Sequence, residues 1–115
     1  MVTKNKYGIV HTKVPCLELT TMVGCPLLCT FCPQKQLKNA YNKLDDKYLS
    51  LNNLKIMLSN IPTITRIDFS GMSEPWANKE CTAMLELVLS QGFNVALYTT
   101  LYGFKKDDVE KVKEL

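Results

Sequence analysis

The sequence predicts an α/β domain in which parallel strands alternate with helices. Three short β-rich segments are separated by stretches in which apolar residues recur at helical spacing. The predicted order is β-α-β-α-β-α, which favours parallel strands joined by right-handed crossovers. With 115 residues, of which 46% are hydrophobic and 22% charged, the chain is long enough for one domain with a hydrophobic core.

The first half of the chain contributes one strand and one crossover helix, with a short additional helix in the polar stretch between them that the order above does not include. A strand is predicted over residues 16–22, and Gly24 and Pro26 end it. A short helix is predicted near Gln34–Tyr41. A second helix, which Pro62 closes, is predicted by an apolar stripe at helical spacing that consists of Leu51, Leu54, Leu58 and Ile61.

The second half contributes two further strands with a helix between them. The strands are predicted over residues 64–70 and 94–99, because both segments are rich in β-branched and aromatic residues. Asn78 is placed to cap the helix between them, and Gly92 follows its end. The buried stripe of this helix is predicted to be Cys81, Met84, Leu85 and Val88.

A last helix is predicted by the capping-box spacing of Asp107 and Glu110, with Val109 and Val112 on its apolar side. The sequence ends at Leu115, and a closed (β/α) barrel needs about 250 residues. We therefore expect a fragment or a truncated gene product. Because a three-stranded piece leaves strand edges unpaired, we expect it to be marginally stable, oligomeric or dependent on a partner segment.

Side-chain alternation divides each strand into a polar and an apolar face. Glu18, Arg66 and Asp68 share the polar face, and the helices are expected to cover the other one. If the strands belong to a barrel, the helices cover its outside and this polar face lies inside it. Charged groups there must be paired or hydrated. The sequence therefore predicts either a structural ion network or a polar floor that faces a substrate.

The charge distribution does not indicate a binding partner. The net charge is +3, from 14 Lys and Arg against 11 Asp and Glu, and Arg66 is the single arginine. Scattered lysines argue against a nucleic-acid surface, which normally clusters Arg and Lys with aromatic residues. The first ten residues lack the apolar core of a signal peptide, and no stretch could span a bilayer, so we expect a cytoplasmic protein with no membrane partner.

Three of the five cysteines lie within eight residues, as Cys25, Cys29 and Cys32. An odd number of cysteines, crowded in this way, is a poor framework for secreted disulfides and indicates metal or redox chemistry in a reducing compartment. Thiolates are the usual ligands of iron–sulfur clusters. Three of them leave one iron of a four-iron cluster without a protein ligand, and an open coordination position is where chemistry can occur.

Two other uses of these cysteines remain open. A structural zinc ion needs four ligands, and the fourth would have to be Cys16, Cys81 or His11, none of which forms a second pair. A ferredoxin-type cluster has a different spacing and a further cysteine soon after the third. Cys81 lies on a predicted helix face, where it is explained as a buried small apolar residue. We therefore predict that Cys16 and Cys81 are not metal ligands.

The cysteine loop resembles that of the radical S-adenosylmethionine (SAM) superfamily, in which it follows the first strand. Cys25, Cys29, Phe31 and Cys32 match the family pattern Cys-x3-Cys-x-aromatic-Cys. The resemblance implies that the three thiolates hold a four-iron, four-sulfur ([4Fe-4S]) cluster, whose fourth iron binds the amino and carboxylate groups of SAM. It also implies that the backbone at Phe31 lies near the adenine.

The segment after the second strand is similar to the Gly-Gly-Glu-Pro segment of the same family. There, backbone groups and the acidic residue meet the methionine amino group of SAM, which implies a cofactor-binding role for Gly71, Met72, Ser73 and Glu74. This chain departs from the pattern, because Met72 replaces the second glycine and Ser73 is an additional residue. The alternative is a plain turn with Glu74 exposed to solvent.

The third strand ends where members of the family often show Thr-Asn-Gly, to which Thr99 and Thr100 are both weak matches, and the resemblance implies a cofactor-binding role for Thr99. The resemblance implies that residues 1–115 are the N-terminal part of a radical SAM core domain, which is half of a partial TIM-like (β/α)6 barrel. Its reaction would be reductive cleavage of SAM to a 5′-deoxyadenosyl radical that abstracts hydrogen from an unknown substrate, such as a peptide or a sugar. Flavodoxin or ferredoxin would donate the electron. The alternatives are a zinc-binding module and a non-catalytic iron–sulfur electron-transfer protein.

Overall fold

Three parallel strands lie at the centre of the structure, which is a computed structural model. It describes residues 2–4, 10–12, 14–43 and 46–115, with side chains from residue 14 onward. The described strands are β1 Val2–Lys4, β2 Val10–Thr12, β3 Cys16–Leu19, β4 Arg66–Phe69 and β5 Asn94–Leu97. Strands β3, β4 and β5 form one parallel sheet in sequence order, which confirms the predicted parallel arrangement. Strands β1 and β2 form a separate antiparallel pair that was not predicted.

The register of the parallel sheet aligns the ends of its strands. Cys16 pairs with Arg66, which pairs with Asn94, and the last residues of the three strands also pair. The segments that follow the strands therefore leave the sheet at the same edge, which is the edge where β/α folds place their sites.

Four α-helices and one short 3-10 helix accompany the sheet in the described part of the chain. They are α1 Gln34–Tyr41, α2 Leu51–Leu58, the 3-10 helix Pro75–Ala77, α3 Cys81–Ser90 and α4 Lys106–Lys113. The side chain of Ser50 caps α2 by accepting a hydrogen bond from the Asn53 N–H at 3.1 Å. Of these helices, none has both the length and the apolar character that crossing a membrane requires.

All three parallel strands are shorter than the sequence predicts, since β3, β4 and β5 each have four residues. β3 ends at Leu19 because Thr21 turns away from the sheet, where its hydroxyl donates to the Pro75 carbonyl at 3.0 Å. Its own carbonyl accepts hydrogen bonds from the Leu49 N–H at 2.9 Å and from the Asn78 side-chain amide at 2.8 Å. β5 ends at Leu97. After it, the Thr100 N–H donates to the carboxylate of Glu74, which belongs to the segment after β4 (residues 70–74).

Two helix starts also differ from the prediction. The N-cap residue of α3 is Glu80 and not Asn78. Asn78 lies two residues earlier, where its side-chain oxygen accepts the Glu80 N–H at 3.0 Å and its carbonyl accepts the Cys81 N–H at 3.1 Å. The cap of α4 is not Asp107, because Lys105 is the N-cap residue and its N–H donates to the Asp108 carboxylate at 2.9 Å. The predicted capping box is therefore two residues out of register.

One face of the sheet packs against the helices and forms the core, as predicted. The apolar side chains of the strands contact those of α2 and α3. This core also contains the predicted stripe of α3, and its buried members are Leu19, Leu54, Leu58, Ile67, Phe69, Trp76, Cys81, Met84, Leu85, Val88 and Phe93. Burial of these side chains supplies the main stabilisation of the fold.

The opposite face of the sheet is polar. Arg66 Nε lies 2.6 Å from Asp68 Oδ1, and the Ser70 hydroxyl donates to Glu18 Oε1 at 2.9 Å. The hydrogen bond from Arg66 holds the pKa of Asp68 below its ordinary value, although burial of this carboxylate opposes the shift. The predicted grouping of these charged residues on one face is therefore confirmed.

A chain of hydrogen bonds attaches α4 to the rest of the fold. The Trp76 indole N–H donates to Thr82 Oγ1 at 3.0 Å, and the Thr82 hydroxyl donates to Asp108 Oδ1 at 2.7 Å. The Trp76 and Phe104 rings also make an edge-to-face contact, with centroids 4.5 Å apart. The segment after β5 is thereby held beside the segment after β4.

Candidate functional site

A cavity of about 560 Å³ lies at the edge where the parallel strands end. Three separate segments form its wall, and each of them follows or ends one of the three parallel strands. The cavity brings together every residue for which the sequence predicts a ligand or cofactor role, namely Cys25, Cys29, Phe31, Cys32, Gly71, Met72, Ser73, Glu74 and Thr99. The cysteine loop and the segment after β4 therefore lie at the same edge of the sheet, as expected for segments that each follow a strand of a parallel sheet.

The three loop cysteines differ in exposure although they line the same cavity. Cys25 is buried, Cys32 is partly exposed and Cys29 is exposed. Within the described residues, no group of three or more His, Cys, Asp and Glu side chains is gathered closely enough to hold one metal ion. The three thiols therefore share one cavity, but the described residues do not form a metal-binding group there.

Cys81 has a core environment that does not suit a ligand. Its side chain is completely buried, and burial together with the nearby carboxylates of Glu74 and Asp108 raises its pKa to about 12. Because metals bind the thiolate form, a completely buried thiol whose pKa is raised is a poor ligand.

Cys16 and His11 were the other candidates for a fourth zinc ligand. Cys16 starts β3, at the opposite end of the strand from the cysteine loop, and its sulfur lies 3.9 Å from Arg66 Nη2. A hydrogen bond with Asp68 is the main reason why its pKa is raised. The side chain of His11 lies outside the described residues.

Glu74 is buried and its carboxylate is fully hydrogen-bonded. One carboxylate oxygen accepts from the Thr99 hydroxyl, and the other accepts from the Thr100 N–H at 2.8 Å and from the Thr100 hydroxyl at 2.7 Å. Burial raises the pKa of this carboxyl, but the hydrogen bonds from Thr99 and Thr100 outweigh burial and leave the pKa below its ordinary value. The solvent-exposed turn considered for this residue is therefore wrong, since Glu74 joins the end of β5 to the segment after β4.

Gly71 and Ser73 give the segment after β4 its shape. Gly71 has a φ of +85°, and a Cβ at this position would collide with the Thr20 hydroxyl, so glycine is required both by conformation and by space. The Ser73 hydroxyl is buried and has no hydrogen-bond partner among the described residues. A buried hydroxyl without a partner is unusual in a native fold, and here it belongs to a residue that lines the cavity.

Gln34 is a buried polar residue of the cavity to which the sequence analysis assigned no role. Its side-chain oxygen accepts the Cys25 N–H at 3.2 Å, and its side-chain nitrogen donates to the Met72 carbonyl. It therefore joins the cysteine loop directly to the segment after β4. One signal was available in the sequence, because a residue at the first position of a helix, directly after the loop, is placed to bond back to that loop.

The wall of the cavity combines three thiols, a carboxylate, an amide, several hydroxyls and backbone polar groups. Thiols are donor groups for soft metals, and carboxylate, amide and hydroxyl groups are hydrogen-bonding groups for polar ligands. Comparison of the chain with protein-family models, with curated proteins and with solved structures finds no match.

Proposed function

We propose that this chain is the N-terminal part of a radical SAM core domain. In this proposal Cys25, Cys29 and Cys32 hold the [4Fe-4S] cluster, while the segment after β4 and Thr99 contribute to the binding of SAM. The observation that carries the proposal is that three segments, each selected by a separate motif, line one cavity.

The donor set suits a multi-iron cluster. A structural zinc ion needs four ligands at about 2.0–2.3 Å from a single centre. A cluster instead takes each thiolate on a different iron, so its ligands are spread around the cluster. The three cysteines line one cavity, and in this proposal each thiolate would bind a different iron.

The size of the cavity also supports a bound cofactor. At about 560 Å³ it lies within the range of roughly 300–1,000 Å³ that is typical of small-molecule sites. When bound, the cluster would supply the electron for the reductive cleavage of SAM. The residues of the chain would bind and orient both groups, with Glu74 and its threonine partners holding the loop in position.

The sheet supports the barrel part of the proposal. The described helices that contribute to the core pack on the apolar face, and Glu18, Arg66 and Asp68 lie on the other face. In a partial (β/α)6 barrel this polar face would be the interior and would face the substrate. A peptide or sugar substrate, and an electron donor such as flavodoxin or ferredoxin, belong to the same proposal.

Anaerobic reconstitution with iron and sulfide tests the proposal. We expect about four iron and four sulfide ions per chain, together with an electron paramagnetic resonance (EPR) signal after reduction by dithionite. Addition of SAM should change that signal, because SAM would bind directly to one iron. Zinc uptake without cluster formation would support the zinc-binding alternative. A cluster whose EPR signal does not change when SAM is added would indicate an electron-transfer protein.

A further inference from the structure

The buried amide of Gln34 connects the two halves of the proposed cofactor site. It is 5% exposed and lines the cavity beside the cysteines. Its two hydrogen bonds reach the backbone of Cys25 on one side and the backbone of Met72, 38 residues further along the chain than Gln34, on the other. One side chain therefore holds two loops that would contact different cofactors.

The rest of α1 shows that this burial is specific. Gln34 is the single buried residue of α1, whose other residues are exposed or partly exposed. A surface helix normally buries an apolar stripe. A primary amide is costly to bury unless both of its ends are hydrogen-bonded, and here both ends are. The buried position of α1 is therefore occupied by a residue, Gln34, whose side chain joins the cysteine loop to the segment after β4.

We propose that Gln34 is a positioning residue that fixes the cluster loop relative to the SAM-binding segment. This inference rests on the proposed function, because it assigns Cys25 to the cluster and Met72 to the wall that contacts SAM. A ligand that binds the cluster iron and the segment after β4 at the same time needs a fixed separation between them. The amide supplies that fixed separation before the ligand arrives.

The test compares Gln34→Met with Gln36→Met. Methionine is close to glutamine in length but cannot make either hydrogen bond, and Gln36 is an exposed residue of the same helix. In the cluster-free chain, we expect Gln34→Met to accelerate hydrogen exchange of the Cys25 amide by roughly tenfold, because its acceptor is removed. Gln36→Met should leave that exchange unchanged.

In the reconstituted chain, Gln34→Met should keep its iron but need roughly tenfold more SAM for the half-maximal EPR change. The EPR readout separates positioning from general stability, which a denaturant titration of the same variants measures. If Gln34→Met does not fold, Gln34→Asn gives the same comparison, because it keeps an amide that is too short to reach both loops.

The outcomes separate this inference from the proposed function. A wild-type chain that takes up no cluster overturns the proposed function, and the assignment of Gln34 falls with it. A wild-type chain whose cluster responds to SAM, beside a Gln34 variant with the same SAM dependence, overturns the inference alone. Unchanged exchange at the Cys25 amide in the Gln34→Met chain also overturns it.

Discussion

At the scale of single residues, environment divides the cysteines into two groups. Cys25, Cys29 and Cys32 line a cavity, whereas Cys81 is enclosed by the core and Cys16 lies at the far end of β3. Thiolate ligands must be able to lose a proton and reach the metal. Cys81 fails the first condition, because its pKa is raised to about 12.

We therefore expect alanine substitution to separate the two groups. After anaerobic reconstitution, Cys25→Ala, Cys29→Ala and Cys32→Ala should each lose most of the bound iron, because a thiolate ligand is removed. Cys16→Ala and Cys81→Ala should retain it, and they serve as controls. Iron and sulfide per folded chain are the measurements. Iron loss at Cys81 equal to that at Cys29 would contradict the assignment.

The second prediction at this scale concerns Glu74 and pH. Its pKa is below the ordinary value in the folded state, so its carboxylate stabilises the fold above its ordinary pKa of about 4.3. That stabilisation is lost as the pH falls through the folded-state pKa. Glu74→Gln places an NH2 group against threonine donors, and we expect it to lower the free energy of unfolding at pH 7 by about 1–3 kcal/mol.

The difference between wild type and Glu74→Gln should shrink as the pH falls through the folded-state pKa of Glu74, which lies below the ordinary value, because the wild-type carboxylate then becomes protonated. Urea unfolding at several pH values measures this difference. Glu86→Gln is the matched control, because Glu86 is exposed on α3. A Glu74→Gln difference that is the same at pH 7 and in acid would show that the carboxylate charge is not involved.

At the scale of elements, the docking of α4 depends on Thr82. This residue is 4% exposed, and its hydroxyl both accepts from Trp76 and donates to Asp108. The hydrogen bond from Thr82 is the main reason why the pKa of Asp108 lies below its ordinary value. The 3-10 helix, α3 and α4 thus share one hydroxyl.

Thr82→Val keeps the shape of the side chain but removes this hydroxyl. We expect it to cost about 1–3 kcal/mol, because it leaves the indole N–H and a carboxylate oxygen without their partner. Thermal unfolding should show a lower Tm, and amide exchange in α4 should become faster. Thr63→Val is the control at an exposed position. A Thr82→Val chain with wild-type exchange in α4 would show that other contacts hold the helix.

The helices and strands were largely predictable from the sequence, whereas the hydrogen-bond partners of buried polar side chains were not. Apolar spacing and β-rich segments identified the three parallel strands and the helices, because local patterning determines which face is buried. The buried hydrogen-bonding roles of Gln34 and Asn78 escaped prediction, since their partners are distant along the chain. A polar residue before or at a helix start is expected at the surface, and only the tertiary fold reveals that it is enclosed.

The residues of the candidate site were likewise largely predictable from the sequence, whereas the hydrogen bonds between them were not. Cysteine spacing identified three residues of the cavity, and the position of each loop after a strand placed the other residues nearby. The hydrogen bonds between Glu74 and the threonines after β5 could not be inferred, because they depend on where the two loops end in space.

At the scale of the whole molecule, the sheet has two edges and one covered face. In the described part of the chain, β3 and β5 are the outer strands of the parallel sheet, and β4 lies between them. Outer strands carry unpaired backbone groups that can pair with another chain. The polar face beside them holds Asp68, which is buried and paired with Arg66.

We expect the 115-residue chain to self-associate through such an edge at about 100 μM. A lysine on an outer strand disfavours edge pairing, so Ala96→Lys in β5 should shift the chain toward the monomer. Ala40→Lys adds the same charge at an exposed position of α1 and is the control. Sedimentation velocity over a range of concentrations measures the distribution. A wild-type chain that stays monomeric throughout would contradict this expectation.

The enclosed thiol of Cys81 can be used to measure how often the hydrophobic core opens. It is packed among Met84, Leu85 and the strands, and its sulfur is hidden from any reagent in solution. In a chain in which the other four cysteines are replaced by alanine, alkylation could occur only when the core opens. The rate of modification by a thiol reagent would then measure how often the core opens, and the effects of Gln34→Met, Glu74→Gln and Thr82→Val on core opening could be ranked by this rate.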